Sequence, residues 1–282
     1  MKGKPMLRDL QCAQTLDDAV RLVGSGGAVL AGGTDFVSLY AAGVVGNDVA
    51  VDISRVRELA AVTQGDDKIR IGAGVTLQRI EDLGDDSSSL GAIRDGAALV
   101  GSPQTRRRAT LGGNACRSSP SGDTLPGLLA AGAEMVALSA RGQRAVPASE
   151  FFRGPGINAL RDDELLGWID VPRRASVSAY VRHTFRRSMD LATVGIATAL
   201  EESADGPRLL AAVGGAGPTP VATPAVWISG VDVPLADLVD LLHDQIQDII
   251  TPISDVRGSE WYRRKLIRPL LERSLARCLA RR

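Results

Sequence analysis

Two glycine pairs, Gly32-Gly33 and Gly112-Gly113, are the residues of this 282-residue chain whose type and setting point most directly to chemistry. A nucleotide pyrophosphate carries two negative charges and needs several convergent backbone N–H donors, which become accessible where glycines let the main chain come close. The first pair lies in Leu30-Ala31-Gly32-Gly33-Thr34-Asp35, after the apolar Ala28-Val29-Leu30 and before Phe36, Leu39 and Tyr40 at helical spacing. That is a strand, a glycine loop and a helix whose N-terminal dipole would add to the donors. The second pair lies in Thr110-Leu111-Gly112-Gly113-Asn114, read here as a second glycine loop. Thr34 and Asn114 follow the two pairs with side chains able to donate to a phosphate oxygen. Either pair alone reads more readily as an ordinary turn, so the joint occurrence is the signal.

Other chemistries lack their residues. Gly24-Ser25-Gly26-Gly27 has no third glycine for a dinucleotide fingerprint, and no Gly-Lys-Ser or Gly-Lys-Thr forms a P-loop. Gly-x-Ser-x-Gly and His-Glu-x-x-His are absent. Cys12, Cys116 and Cys278 are too few and too scattered for an iron–sulfur cluster, and His183 and His243 have no ligand-spaced partners. No metal site is therefore expected in the chain. The 33 basic and 33 acidic residues cancel, which argues against a nucleic-acid or anionic-lipid partner. Arg106-Arg107-Arg108 reads as a solvated or partner-facing loop. No apolar run reaches membrane-spanning length, and the charged start has no signal-like stretch after it, so a cytoplasmic location is expected.

The elements that must position these residues divide the chain into two parts. A helix capped by Thr15 over 15–23 leads to the Ala28-Val29-Leu30 strand, and further strands are expected at 49–53, 62–64 and 68–71. Thr76 caps a helix to about 83, and Ser87 to Ser89 start another that carries Leu90, Ile93, Ala97 and Val100 and stops at Gly101-Ser102-Pro103. Asp123 is a good N-cap for a helix ending at Gly132, with strands to follow at 135–139 and 165–171. Beyond residue 175, strands at 180–186, 194–201 and 209–213 suggest an antiparallel meander with helices at 234–249 and 259–279 on one side. Pro269 is expected to kink the last helix or split it.

With these segments in place, the chain resembles the FAD-binding medium subunit of the xanthine dehydrogenase and carbon monoxide dehydrogenase family of molybdenum hydroxylases. The resemblance is carried by Ala31-Gly32-Gly33-Thr34-Asp35 and by Thr110 to Asn114. It continues through Ser119-Pro120-Ser121-Gly122-Asp123 into Leu128-Leu129-Ala130-Ala131-Gly132-Ala133. Tyr180 with Arg186, Asp190, Ala192, Val194 and Gly195, then Gly214 to Pro220, and Asp255 to Arg264 extend it over nearly the whole chain. The implied fold is α+β: a two-part FAD-binding domain of the vanillyl-alcohol-oxidase/PCMH type over 1–174, then a small C-terminal domain of antiparallel sheet and helices over 175–282.

The resemblance also implies roles. FAD would be held by both glycine segments, with Asp123 serving the nucleotide portion, Leu165 and Leu166 beside the flavin ring and Arg182 near it. Bottom-up, Leu165 and Leu166 read as strand core. Arg182 stands where many relatives have lysine, and Arg117 and Gly122 stand where relatives often have small hydroxyl residues. Arg117 is a candidate for pairing with phosphate or with a partner subunit. A large molybdenum subunit with a molybdopterin-type cofactor and a small subunit with two 2Fe-2S clusters are the implied partners, assembled as a dimer of heterotrimers. FAD would then pass their electrons to an external acceptor. A flavin-free scaffold subunit and a stand-alone flavin oxidoreductase are the competing readings, and no catalytic side chain is expected.

Overall fold

The structure is a computed structural model and describes residues 7–84, 89–228 and 233–282. Three short strands, Asp9–Cys12, Ala28–Leu30 and Val49–Asp52, make a parallel sheet with the last in the centre. Parallel neighbours need crossover connections, which the helices Leu16–Gly24 and Phe36–Ala41 supply. The first begins where expected, with the Thr15 hydroxyl accepting the Asp18 N–H at 3.1 Å. Its Ala19 and Val23 pack with Val51, Ile53 and Leu59 beneath the sheet.

A second sheet is wholly antiparallel, in the order Val62–Gln64, Lys68–Gly72, Leu165–Pro172, Glu134–Ser139, Gly142–Pro147. Leu165 packs into the core under the parallel sheet while Leu166 belongs to the larger core under the antiparallel one. Neighbouring residues of a strand face opposite ways, so this strand end forms the seam between the two sheets. Between Gly72 and Glu134 the chain forms short helices, including Leu77–Glu81 capped by Thr76, Gly91–Leu99, Leu111–Arg117 and Leu125–Ala130. Of the expected helix start, Ser87 and Ser88 lie outside the described residues. The Gly101-Ser102-Pro103 stop is also a start: Ser102 accepts the Thr105 N–H at 3.2 Å and caps the helix Pro103–Arg106. Arg106 is accordingly not in a solvated loop, since it is held by Glu81 at 2.8 Å.

The last sheet is the expected meander, Ser176–His183, Val194–Glu201 and Arg208–Gly214, with two short strands added at its end. Its two C-terminal helices pack on one face, as expected, and helices of the first half cover the other. Val194, Ile196 and Leu200 meet the helices Leu235–Ile249 and Glu260–Leu279. The small Ala197, Ala199 and Ala212 admit the helices Gly91–Leu99 and Leu125–Ala130 from the first half. Alternating large and small residues on one strand thus dock the two halves. Pro269 does not split its helix, which runs as one element from Glu260 to Leu279. The carbonyl freed at Lys265 is tolerated because Ile267, Leu270, Leu271 and Leu275 are fixed against the sheet.

A nucleotide-sized cleft at the sheet seam

A cleft of about 880 Å³ opens along the seam of the first two sheets. It lies near the upper end of the ~300–1,000 Å³ typical of ligand pockets. Every candidate residue lines it except Leu30, Asp123 and Arg182: Ala31, Gly32, Gly33, Thr34, Asp35, Thr110, Gly112, Gly113, Asn114, Arg117, Leu165 and Leu166 are all in its walls. Val29, Leu39, Ile53, Val100 and Leu160 give the walls an apolar character suited to flat aromatic rings.

The first glycine segment has the donors that an anion requires. No N–H from Gly32 through Phe36 has an acceptor among the described residues, so five successive backbone donors are unpaired. Gly33 has φ +78°, a left-handed conformation that glycine adopts without strain. The helix that follows, Phe36–Ala41, has only six residues, so the donors themselves matter more than its dipole. Leu30 lies behind the loop, with its Cδ1 against Gly33 and its carbonyl accepting the Ile53 N–H at 3.0 Å.

The second segment differs from the expected loop. Thr110 is an N-cap, and Gly112 and Gly113 sit in the first turn of the helix Leu111–Arg117. Their amides are engaged: Leu111 donates to Val75, Gly112 to Ala73 and Gly113 to the Thr110 hydroxyl, all at 2.9–3.0 Å. Gly112 is glycine because of packing, since a Cβ there would stand 2.5 Å from the Ala73 Cβ. What this segment presents to the cleft is the Asn114 amide, whose Oδ1 is fixed by the Thr124 hydroxyl at 2.7 Å. That leaves its NH2 group as a donor. The two segments also touch. A Cβ on Gly32 would lie 1.9 Å from the Arg108 carbonyl oxygen, two residues before Thr110.

Asp123 and Arg182 are not among the residues that line the cleft, and they meet each other. Asp123 does not cap the Leu125–Ala130 helix, whose N-cap is Thr124. Its carboxylate is buried where the two halves join, 2.5 Å from Arg182 and 2.8 Å from the Tyr180 hydroxyl. Burial pushes the Asp123 carboxyl up to about 6, against the pull of Arg182 and Tyr180, so near neutral pH it is an ion-paired carboxylate. The pairing satisfies a charge that would be costly to bury alone.

Sequence reasoning missed part of the wall. Pro155 and Gly156 close one side, although Gly154-Pro155-Gly156 reads only as a loop. Glu164 stands in the wall as well, one residue before Leu165. Bidentate hydrogen bonds from Arg144 hold its carboxyl below the usual value, with burial opposing. Among the described residues no cluster of His, Cys, Asp or Glu could hold a metal. No described helix is long and apolar enough to cross a membrane.

A seam cleft with unpaired main-chain donors and apolar walls defines a protein built to hold a nucleotide-type cofactor. The chain belongs to the family described as the FAD binding domain in molybdopterin dehydrogenase, whose model matches residues 6–174, and residues 179–278 match the CO dehydrogenase flavoprotein C-terminal domain. It is similar to the 6-hydroxypseudooxynicotine dehydrogenase complex subunit alpha of Paenarthrobacter nicotinovorans, with 30% identity over 99% of this chain and 96% of that one. The carbon monoxide dehydrogenase medium chain of Afipia carboxidovorans is 28% identical over 97% of both. Among solved structures, carbon monoxide dehydrogenase from Hydrogenophaga pseudoflava superposes with TM-score 0.87 and 25% identity over 97% of each chain. The chain is an oxidoreductase subunit with an FAD-binding domain, of the medium-subunit type found in molybdenum hydroxylases.

Proposed function

We propose that this chain is the electron-exit subunit of a heteromeric molybdenum hydroxylase, receiving electrons from iron–sulfur clusters on a small partner and passing them to an external acceptor. A large partner would carry the molybdopterin-type cofactor and hydroxylate the substrate. The complex would be a cytoplasmic dimer of heterotrimers. The observation that carries this reading is the row of unpaired N–H groups at Gly32 to Phe36, facing a cleft inside the family's FAD-binding domain.

The residues fit FAD. Gly32, Gly33, Thr34 and Asp35 offer main-chain donors to the pyrophosphate, Asn114 offers its amide, and Leu165 and Leu166 supply an apolar edge for a ring. Bound FAD supplies the redox chemistry of its isoalloxazine, while the protein binds and orients it. We take 1–174 as the cofactor-holding unit and 175–282 as the unit docked against it through Asp123, Tyr180 and Arg182. In this reading those three residues keep the halves in register and do not touch the cofactor.

A gentle pull-down of the chain from its own cell, assayed together for co-purifying subunits, FAD, iron and molybdenum, tests the proposal. All three cofactors should appear with two other polypeptides. Recovery of the chain with partners but without FAD would favour a flavin-free scaffold. Turnover of a small substrate by the isolated chain would favour a stand-alone oxidoreductase.

A further inference from the structure

Arg117 is the only basic side chain lining the cleft among the described residues. It ends the Leu111–Arg117 helix, which stops there because Ser118 turns left-handed at φ 48°. A guanidinium carries five N–H donors, yet this one makes no hydrogen bond among the described residues. Its one ionic contact among the described residues is from Nε to Oδ1 of Asp35 at 3.7 Å, too long for a hydrogen bond. The Gly156 turn covers it, since a Cβ there would lie 3.1 Å from Arg117 Nη1.

Charge in the cleft sharpens the point. Glu164, the other carboxylate in the wall, is held by Arg144 and does not compete for Arg117. Asp35 belongs to the run of residues whose backbone N–H groups are unpaired, so the guanidinium stands within one side chain of those donors. An uncompensated Asp35 carboxylate beside a doubly charged pyrophosphate would repel it.

We propose that Arg117 is the phosphate-binding cation of the cofactor site, exchanging its loose contact with Asp35 for a fork of hydrogen bonds to the pyrophosphate of the bound dinucleotide. This rests on the FAD reading above. Asp35 keeps the arginine in the cleft beforehand, and a fork geometry suits phosphate oxygens better than a lysine ammonium does.

The test compares wild type, Arg117→Ala, Arg117→Lys and Asp35→Asn for binding of FAD, ADP and riboflavin by calorimetry and flavin fluorescence, with circular dichroism to confirm folding. Arg117→Ala should lose roughly 10- to 100-fold in affinity for FAD and for ADP, the range expected for hydrogen bonds to a charged group. Riboflavin, which has no phosphate, should bind as to wild type. Arg117→Lys should fall between, and Asp35→Asn should bind FAD more tightly. If wild type binds FAD but Arg117→Ala keeps FAD and ADP affinity within about twofold, or loses riboflavin equally, the assignment of Arg117 is overturned alone. If wild type takes up no FAD, the cofactor reading falls and this one with it. If Arg117→Ala does not fold, Asp35→Asn decides: tighter FAD binding supports the exchange, and unchanged or weaker binding overturns it.

Discussion

Substituting Gly32 by alanine should injure both the fold and the cofactor site, because this glycine is where the two cleft segments meet. A Cβ at Gly32 would lie 1.9 Å from the Arg108 carbonyl oxygen and 2.6 Å from its carbon, and both belong to backbone held by neighbouring hydrogen bonds. No side chain can rotate away, so one segment must shift. Overpacking of this kind costs about 1–3 kcal/mol, and a displaced loop would cost a comparable amount of FAD binding, roughly 5- to 100-fold. Gly33→Ala is the control: its Cβ would meet only Leu30 Cδ1 at 3.5 Å, and the strain arises from φ +78°. It should cost about 1–2 kcal/mol of stability through the left-handed backbone, without separating the segments. Urea unfolding with and without FAD, alongside fluorimetric FAD titration, reads both quantities. A Gly32→Ala protein with wild-type stability and FAD affinity would refute the claim that this contact builds the site.

Further outcomes follow from the buried ion pairs. Arg182→Met should destabilise by about 3–5 kcal/mol, because it leaves the Asp123 carboxylate buried without its cation. Burial already holds that carboxyl up to about 6, and loss of Arg182 raises it further. A carboxyl raised in the folded state loses stability as pH rises, so the deficit relative to wild type should grow as pH is taken above 6 in unfolding titrations. Asp170 behaves in the opposite sense: burial pushes its carboxyl up, but hydrogen bonds from Arg70 and Lys68 outweigh this and hold it below its usual 3.8. Its contribution is present above pH 3.8 and lost as pH falls through the lower folded-state value. Asp170→Asn should therefore flatten the acid limb of the stability profile, and an unchanged acid limb would contradict the assignment.

What could be read from the sequence was local. Thr15, Thr76 and the strand-to-loop passage at Ala28–Leu30 announce themselves through neighbours one to four residues away, and the structure places them as expected. Ser102-Pro103 carries a helix-start signature that the stop of the preceding helix conceals. The status of the second glycine pair was not legible, because the carbonyl that takes the Gly112 amide, Ala73, comes from almost 40 residues upstream, although the Thr110 hydroxyl that takes the Gly113 amide is local. The meeting of Asp123 with Arg182, 59 residues apart, likewise depends on how the C-terminal sheet docks. Small residues at Ala197, Ala199 and Ala212 hinted at that docking, but strand alternation alone does not say which helices arrive. Pro269 shows the reverse case, a strong local breaker that does not end its helix.

On the function proposed above, the seam cleft holds FAD through the donors of the first glycine segment. The most direct test is the acid-released flavin content of the purified chain, and of its complex, for wild type and Gly32→Ala. Wild type should carry one FAD per chain and the variant a substoichiometric amount. A wild-type chain that is colourless, and takes up no FAD alone or with its co-purified partners, would contradict it.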